Sequence, residues 1–210
     1  LLAKMMLKDE KIPLIVDKAD TIGGVWATQA NEHSHVQVDP VAYSSIVDET
    51  VYRPYAPTAD VLKGIQGMAA THSLQSQIIL NTNVKQIASN QAHHSVKFSF
   101  FDNHHIERKF EGEFDHVFIR TGTLNKPNNV FYEGESTFKH KIFNGFQNDI
   151  DLSRDTFVDQ HVVIFGMGAF AIENAKTALR NGAKHVTIVA RRLKPIFPKM
   201  AMYESGLSLT

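Results

Sequence analysis

The sequence predicts an α/β chain built on two Rossmann-like dinucleotide-binding units, and three stretches carry that reading. The first is His161-Val-Val-Ile-Phe-Gly-Met-Gly-Ala-Phe-Ala171, an apolar run entering a Gly-x-Gly-x-x-Ala turn. The second is a helix-like run from Ile172 to Asn181 followed by the β-branched His185-Val-Thr-Ile-Val-Ala190. Together they give strand, glycine turn, helix and strand, the order that a βαβ nucleotide site requires. The third is Lys11-Ile-Pro-Leu-Ile-Val-Asp17, which follows an amphipathic Leu1–Lys8 segment. It reads as helix, short buried strand and terminal acid, the back half of another such unit.

Taken in order, Leu1–Lys8 has no N-cap and no initiator Met before it. The expectation is a chain truncated at its N-terminus, with a first strand and glycine turn preceding residue 1. Asp17 is then a candidate ribose-hydroxyl ligand of a first dinucleotide, or else a strand-end acid closing a turn. In Ala19-Asp-Thr-Ile-Gly-Gly-Val-Trp26 consecutive glycines permit positive φ and close approach of a ligand, and Trp26 adds a large flat surface. Arg53-Pro-Tyr-Ala-Pro57 is a loop. Thr58 is placed as the N-cap of a helix running to about His72, with Val61, Leu62, Ile65 and Met68 or Ala69 on its apolar face.

Ile78–Leu80 and Asn83–Ile87 read as strand pieces. Ser95–Phe101 and Ile106–Phe110 alternate with period two around Asp102–His105, a hairpin with one wet face and with Phe98 and Phe100 as core. Phe114–Ile119 is expected to be a buried strand, leading to Arg120-Thr-Gly-Thr-Leu-Asn-Lys-Pro127. A buried, unpaired Arg120 would cost several kcal/mol, so its side chain must find a partner or reach water. At the far end Pro195 to Thr210 shows no closing element, which reads as a truncated C-terminus.

At residues 166–171 the first glycine allows the tight turn and the second lets a pyrophosphate approach the backbone. Ala171, at the third small position, lets the helix pack on the strand. Ala169 and Phe170 begin the helix, whose free N–H groups and positive dipole end suit phosphates. The strand that follows ends in Arg191-Arg192, where an NAD site places Asp or Glu about 20 residues beyond the glycines. A guanidinium there grips a 2′-phosphate bidentately, whereas a carboxylate would repel it. Gly166, Gly168, Ala169, Phe170, Arg191 and Arg192 are therefore candidate NADP(H) ligands.

Composition narrows the class. The 210 residues are 43% hydrophobic and 21% charged, with 22 basic residues against 22 acidic, an ordinary globular balance. Zero formal net charge gives no reason to invoke nucleic acid or an anionic membrane. No apolar run reaches membrane-spanning length. The absence of cysteine removes disulfides, thiolate catalysis and Cys-based metal sites, and favours a reducing, cytoplasmic setting. The 11 histidines include His93-His94 and His104-His105 in polar stretches, without ligand spacing, so no metal is expected.

Asp17-Lys18 followed by Ile22-Gly-Gly-Val-Trp26 resembles the second FAD-contacting motif of flavin-containing monooxygenases and their Baeyer–Villiger relatives. The resemblance implies that Asp17 and Lys18 lie at the adenosine ribose of FAD, and that Gly24, Val25 and Trp26 lie against its phosphates and ring system. It implies backbone contacts from Val84 to the adenine. Thr121, Gly122 and Pro127 match the segment that closes the FAD domain, whereas Arg120 stands where the family has a small residue. Val36–Tyr43 is similar to the family's loop beside the flavin, with Asp39 as a candidate polar group there or a turn residue before Pro40. Phe138-Lys-His-Lys-Ile-Phe-Asn144 occupies the place of the family's identifying sequence. Phe138 matches, His140 replaces a Gly, and Asn144 replaces a His tied to coupling NADPH with flavin chemistry. Asp39 and Asn144 are the catalytic candidates.

What the resemblance implies is an incomplete FAD domain carrying a β-hairpin or meander insertion over residues 1–127, a crossing segment over 128–158, and a partial NADP domain over 159–210. NADPH would reduce FAD, and a flavin C4a-(hydro)peroxide formed with O2 would oxygenate an N, S or ketone centre of a small molecule. The cofactor carries that chemistry, so no Ser/His/Asp constellation is needed. With its first phosphate turn missing, the chain is expected to hold FAD weakly. A disulfide-reductase-like flavoenzyme lacks its dithiol here. A degenerate or non-catalytic dinucleotide-binding protein is the alternative that Arg120, His140 and Asn144 leave open.

Overall fold

The computed structural model describes residues 3, 6, 12–37, 54–89, 93–101, 105–123, 128–145 and 156–193. The chain divides into two compact units, one of Leu1–Thr28, Ser45–Thr50 and Val61–Asn128, the other of Gln29–Ser44, Val51–Asp60 and Asn129–Thr210. Asp39, Pro127 and the stretches Leu1–Lys8 and Pro195–Thr210 lie wholly or mostly outside the described residues.

In the first unit, β1 (Ile15–Val16) pairs in parallel with β2 (Ile78–Ile79), Ile15 opposite Ile78. Among the described residues 12–17 the strand is Ile15 and Val16, and Pro13 before it has no N–H to give to a ladder. Gly23 and Gly24, with φ of 133° and 55°, turn the chain into the short helix α1 (Val25–Thr28). Helix α2 (Thr58–Thr71) starts in the second unit, with Thr58 to Asp60, and runs on in the first from Val61; it buries Val61, Gly64 and Ala69, one face at helical spacing. Thr58 is the first residue of α2 rather than its N-cap. Its hydroxyl donates to the carbonyls of Asn31 and Ser34, 3.1 Å each, instead of accepting from the helix.

A three-stranded antiparallel meander follows: β3 (Thr82–Ser89), β4 (His94–Phe101) and β5 (Glu107–Phe114). The strip of β4 between two partners buries Val96 and Phe98, and Phe98 stacks on Phe110 across β5 at 4.8 Å. A bulge between Val84 and Gln86 shifts the β3 register. Two expectations change here. The hairpin's second strand extends to Phe114, and residues 115–120 form no strand among the described residues. Phe118 and Ile119 are exposed, because apolar side chains make a buried strand only where a ladder partner and a covering layer exist. Arg120 is exposed and so meets water, which removes the desolvation cost.

In the second unit, β6 (His161–Phe165), α3 (Ala169–Arg180) and β7 (His185–Val189) form a parallel βαβ in register from His161 opposite His185 to Phe165 opposite Val189. Ala171, Ala175 and Ala178 form the buried stripe of α3; side chains this small let the helix sit close to the strands. The helix ends in a Schellman motif: Gly182 N–H donates to Leu179 O and Ala183 N–H to Ala178 O, with Gly182 at φ 89°.

Candidate dinucleotide sites

The second unit places one set of candidates at one edge. Phe165 ends β6, and the Gly166 N–H donates to the carbonyl of Val189 at 2.8 Å, so the turn is tied to the end of β7. Arg191 and Arg192 follow Val189 after one residue and are exposed. The carboxyl edge of a parallel pair is where α/β folds bind ligands. Gly166 has φ 115°, a conformation open to glycine, and no atom lies within 4 Å of where its Cβ would stand. Gly168, the N-cap of α3, is extended at φ −89° and ψ −179°, likewise has nothing within 4 Å of a Cβ, and provides no side-chain cap. The helix begins at Ala169 and Phe170, and its N-cap Gly168 makes no side-chain cap hydrogen bond at the dipole end. Gly166, Gly168, Ala169, Phe170, Arg191 and Arg192 all belong to this edge.

In the first unit Asp17 lies just past β1, its N–H donating to Ile79 O at 3.0 Å and its carbonyl accepting from Thr82 N–H at 2.8 Å. Its Oδ1 accepts from the N–H of Ala19 at 2.9 Å, the turn-closing geometry open to a strand-end Asp. Both Asp17 and Lys18 are exposed. The turn that follows is tight: a Cβ on Gly23 would stand 2.5 Å from Leu62 Cδ2 and 3.0 Å from Ala27 Cβ. Gly24 is open, its carbonyl accepts from Ala27 and Thr28, and Trp26 is half-buried two residues on. Val25 and Val84 are both part-exposed, Val84 opposite Phe98 in the ladder. Thr121 and Gly122 are exposed beyond the meander, Gly122 at φ 73°.

Residues 130–145, in the second unit, are largely exposed. Phe131, Glu135, Ser136, Phe138, His140 and Ile142 line a shallow open depression, and the His140 ring stands edge-on to Phe138 at 5.6 Å. Asn144 is exposed, and the next residue is held differently. The Gly145 carbonyl accepts from Asn174 Nδ2 at 2.9 Å, and Asn174 belongs to a network with Asn31, Ser34 and Glu173 around α3. No motif or periodicity in Asn31-Glu-His-Ser34 marks this network, yet Asn31 and Ser34 are buried. Among the described residues no group of three or more His, Asp or Glu is arranged to hold a metal ion. No described helix is long and apolar enough to cross a membrane.

Comparison with known proteins extends this picture. The sequence profile of the family described as pyridine nucleotide-disulphide oxidoreductase matches residues 11–204. The chain is 27% identical over 134 residues to the trimethylamine monooxygenase of Roseovarius nubinhibens, covering 63% of this chain and 29% of that protein. It is 24% identical over 174 residues to the polycyclic ketone monooxygenase of Thermothelomyces thermophilus, covering 76% and 27%. It thus spans less than a third of either relative. The crystal structure of OTEMO in complex with FAD and NADP superposes with a TM-score of 0.67 at 16% identity, over 89% of this chain and 36% of that one. That likeness shows the fold: α/β, with Rossmann-type units, as the sequence predicts.

Proposed function

The chain belongs to the pyridine nucleotide-disulphide oxidoreductase family, and from that premise we propose that it serves an FAD- and NADPH-dependent monooxygenase acting on an N, S or ketone centre of a small molecule, with O2 as co-substrate. The observation that carries this reading is Arg191-Arg192 at the end of β7, beside a glycine turn hydrogen-bonded to that same strand end. The names of the trimethylamine and polycyclic ketone relatives support an oxygenase rather than a dithiol enzyme, and there is no cysteine in these 210 residues.

The residues present fit both cofactors. Open space over Gly166 and Gly168 leaves room for a pyrophosphate, the start of α3 at Ala169 and Phe170 would lie against it with the positive end of the helix dipole, and Arg191 and Arg192 would take the 2′-phosphate. Asp17 and Lys18 would hold the ribose end of FAD, Gly24, Val25 and Trp26 its phosphates and ring, and Val84, Thr121 and Gly122 would contribute around it. When bound, the nicotinamide supplies a hydride and the flavin accepts it and activates O2. The chain's own part is to bind, orient and exclude water. We assign residues 1–127 to the FAD domain, 128–158 to the crossing and 159–210 to the NADP domain, with Asp39 and Asn144 as candidates near the chemistry. The cysteine-free composition supports a cytoplasmic setting, and the neutral charge balance supports a small-molecule partner rather than nucleic acid.

Titration of the 210-residue chain with NADP+ and NAD+ tests the reading. NADP+ binds more tightly than NAD+, and replacing both Arg191 and Arg192 by Ala weakens NADP+ about 10- to 100-fold, the loss of one or two charge-assisted hydrogen bonds. NAD+ affinity stays unchanged. Unaltered NADP+ affinity, or equal affinity for NAD+, rejects the assignment. Catalysis is read separately by following NADPH oxidation in the presence of FAD. The combined variant Arg120→Ala, His140→Gly and Asn144→His raises that rate if the departures only damage an oxygenase. No oxidation even then favours a non-catalytic dinucleotide-binding protein.

A further inference from the structure

We infer that Asn174 is a positioning residue: its carboxamide latches the crossing segment, at Gly145, onto the helix that begins at the glycine turn. Three observations in the second unit converge on it. Asn174 Nδ2 donates to the Gly145 carbonyl at 2.9 Å. Asn174 Oδ1 accepts from Asn31 Nδ2 at 3.3 Å. Gly145 holds φ 82°, and a Cβ there would stand 2.7 Å from Asn174 Nδ2, so this contact and this backbone conformation both require glycine.

The orientation of the carboxamide is dictated from behind. Asn31 Oδ1 is taken by the N–H of His33 at 2.9 Å, which leaves Asn31 Nδ2 to face Asn174 and therefore turns Asn174 Nδ2 toward Gly145. Asn31 is itself held: its N–H donates to Ser34 Oγ at 3.0 Å and its carbonyl accepts from Thr58 Oγ1. Ser34 Oγ in turn donates to Glu173 Oε2, and Arg180 pairs with Glu32 at 3.3 Å, so segment 31–36 grips α3 at residues 173, 174 and 180. With Asn31 5% and Ser34 4% exposed, these amides and hydroxyls have little water to fall back on, and each lost partner is costly.

Asn174 lies six residues beyond the Gly168 cap, about 9 Å along the helix axis. A phosphate drawn to the start of α3 therefore bears on the same rigid rod that holds Gly145, one residue from Asn144. Resting on the NADP(H) reading above, the latch makes the placement of Asn144 depend on nucleotide occupancy. Nothing in the sequence spacing pairs residues 31, 145 and 174.

The variant Asn174→Asp keeps size and the acceptor toward Asn31 but puts an oxygen against the Gly145 carbonyl. Hydrogen exchange of peptides covering 138–145 is compared between wild type and this variant, first without nucleotide. The expected result is at least a tenfold faster exchange there, with β6 and β7 unchanged. Unaltered exchange in 138–145 overturns the latch. Should β6 and β7 also loosen, Asn31→Asp, which removes the orienting donor from outside α3, decides: selective loosening of 138–145 supports the latch and none overturns it. NADP+ is then added at a concentration shown by titration to bind. Protection of 138–145 in wild type and its loss in Asn174→Asp support the coupling, and equal protection in both overturns it. A chain that binds no NADP+ sinks the nucleotide reading, and the ligand-free comparison still judges the latch.

Discussion

Glycine means different things at different positions of this chain, and single substitutions separate them. At Gly166, φ 115° with open space around the missing Cβ marks a conformational requirement and a free approach, not a packing one. Gly166→Ala is expected to cost about 1–3 kcal/mol in chemical denaturation, the strain of an L-residue held there, and to weaken dinucleotide binding. Gly67, inside α2 with nothing within 4 Å of a Cβ and no positive φ, is the opposite case. Gly67→Ala is expected to stabilise by about 0.5–1 kcal/mol, the helix-propensity difference. Asp17 Oδ1 closes the Ala19 turn while the carboxylate stays exposed at the strand end. Arg120 reads as a problem in a buried strand and is none in an exposed segment, so Arg120→Ala alone should change the melting transition by no more than about 0.5 kcal/mol.

At the scale of elements, the βαβ of β6, α3 and β7 follows local rules closely. The strands are apolar and β-branched, the helix carries alanine every third or fourth residue, and Gly182 supplies the C-terminal stop. Ala178, 1% exposed, marks where α3 is packed most tightly. Ala178→Leu is expected to destabilise by about 1–3 kcal/mol through overpacking, measured by urea unfolding. Lys176→Leu, two residues earlier and on the opposite, exposed face of the helix, should be near neutral. The meander depends instead on cross-strand partners: Phe98 is buried by β3, β5 and the Phe110 ring, whereas Phe101, on the same strand, remains 59% exposed. Alternation already separates these two phenylalanines, since residues three apart on a strand point to opposite faces, and the partner strands then decide how deeply Phe98 is covered.

For the molecule as a whole, the two units make different demands on a ligand. NADP+ present at a hundredfold excess over its dissociation constant is expected to add about 2.7 kcal/mol to the stability of whatever folds with its site. Hydrogen exchange should show that protection in β6, α3 and β7, while the meander β3–β5 exchanges as before. Uniform protection of both units, or protection of the meander alone, would contradict the placement of the nucleotide at Gly166–Arg192.

The sequence alone determined the βαβ at 161–190, the glycine turns at 23–24 and 166–168, the period-two strands around residues 95–110 and the face of α2, because these depend on periodicity, φ preference and β-branching within a short window. Its family resemblance pointed to the matched fold. Tertiary structure decided the rest. It exposed Phe118 and Ile119, since a strand needs a partner that sequence pattern cannot supply. It turned the Thr58 hydroxyl to the carbonyls of Asn31 and Ser34, competing successfully with a cap. And it buried Asn31 and Ser34 beside Asn174, because a polar group's burial is set by whichever distant residues satisfy its hydrogen bonds.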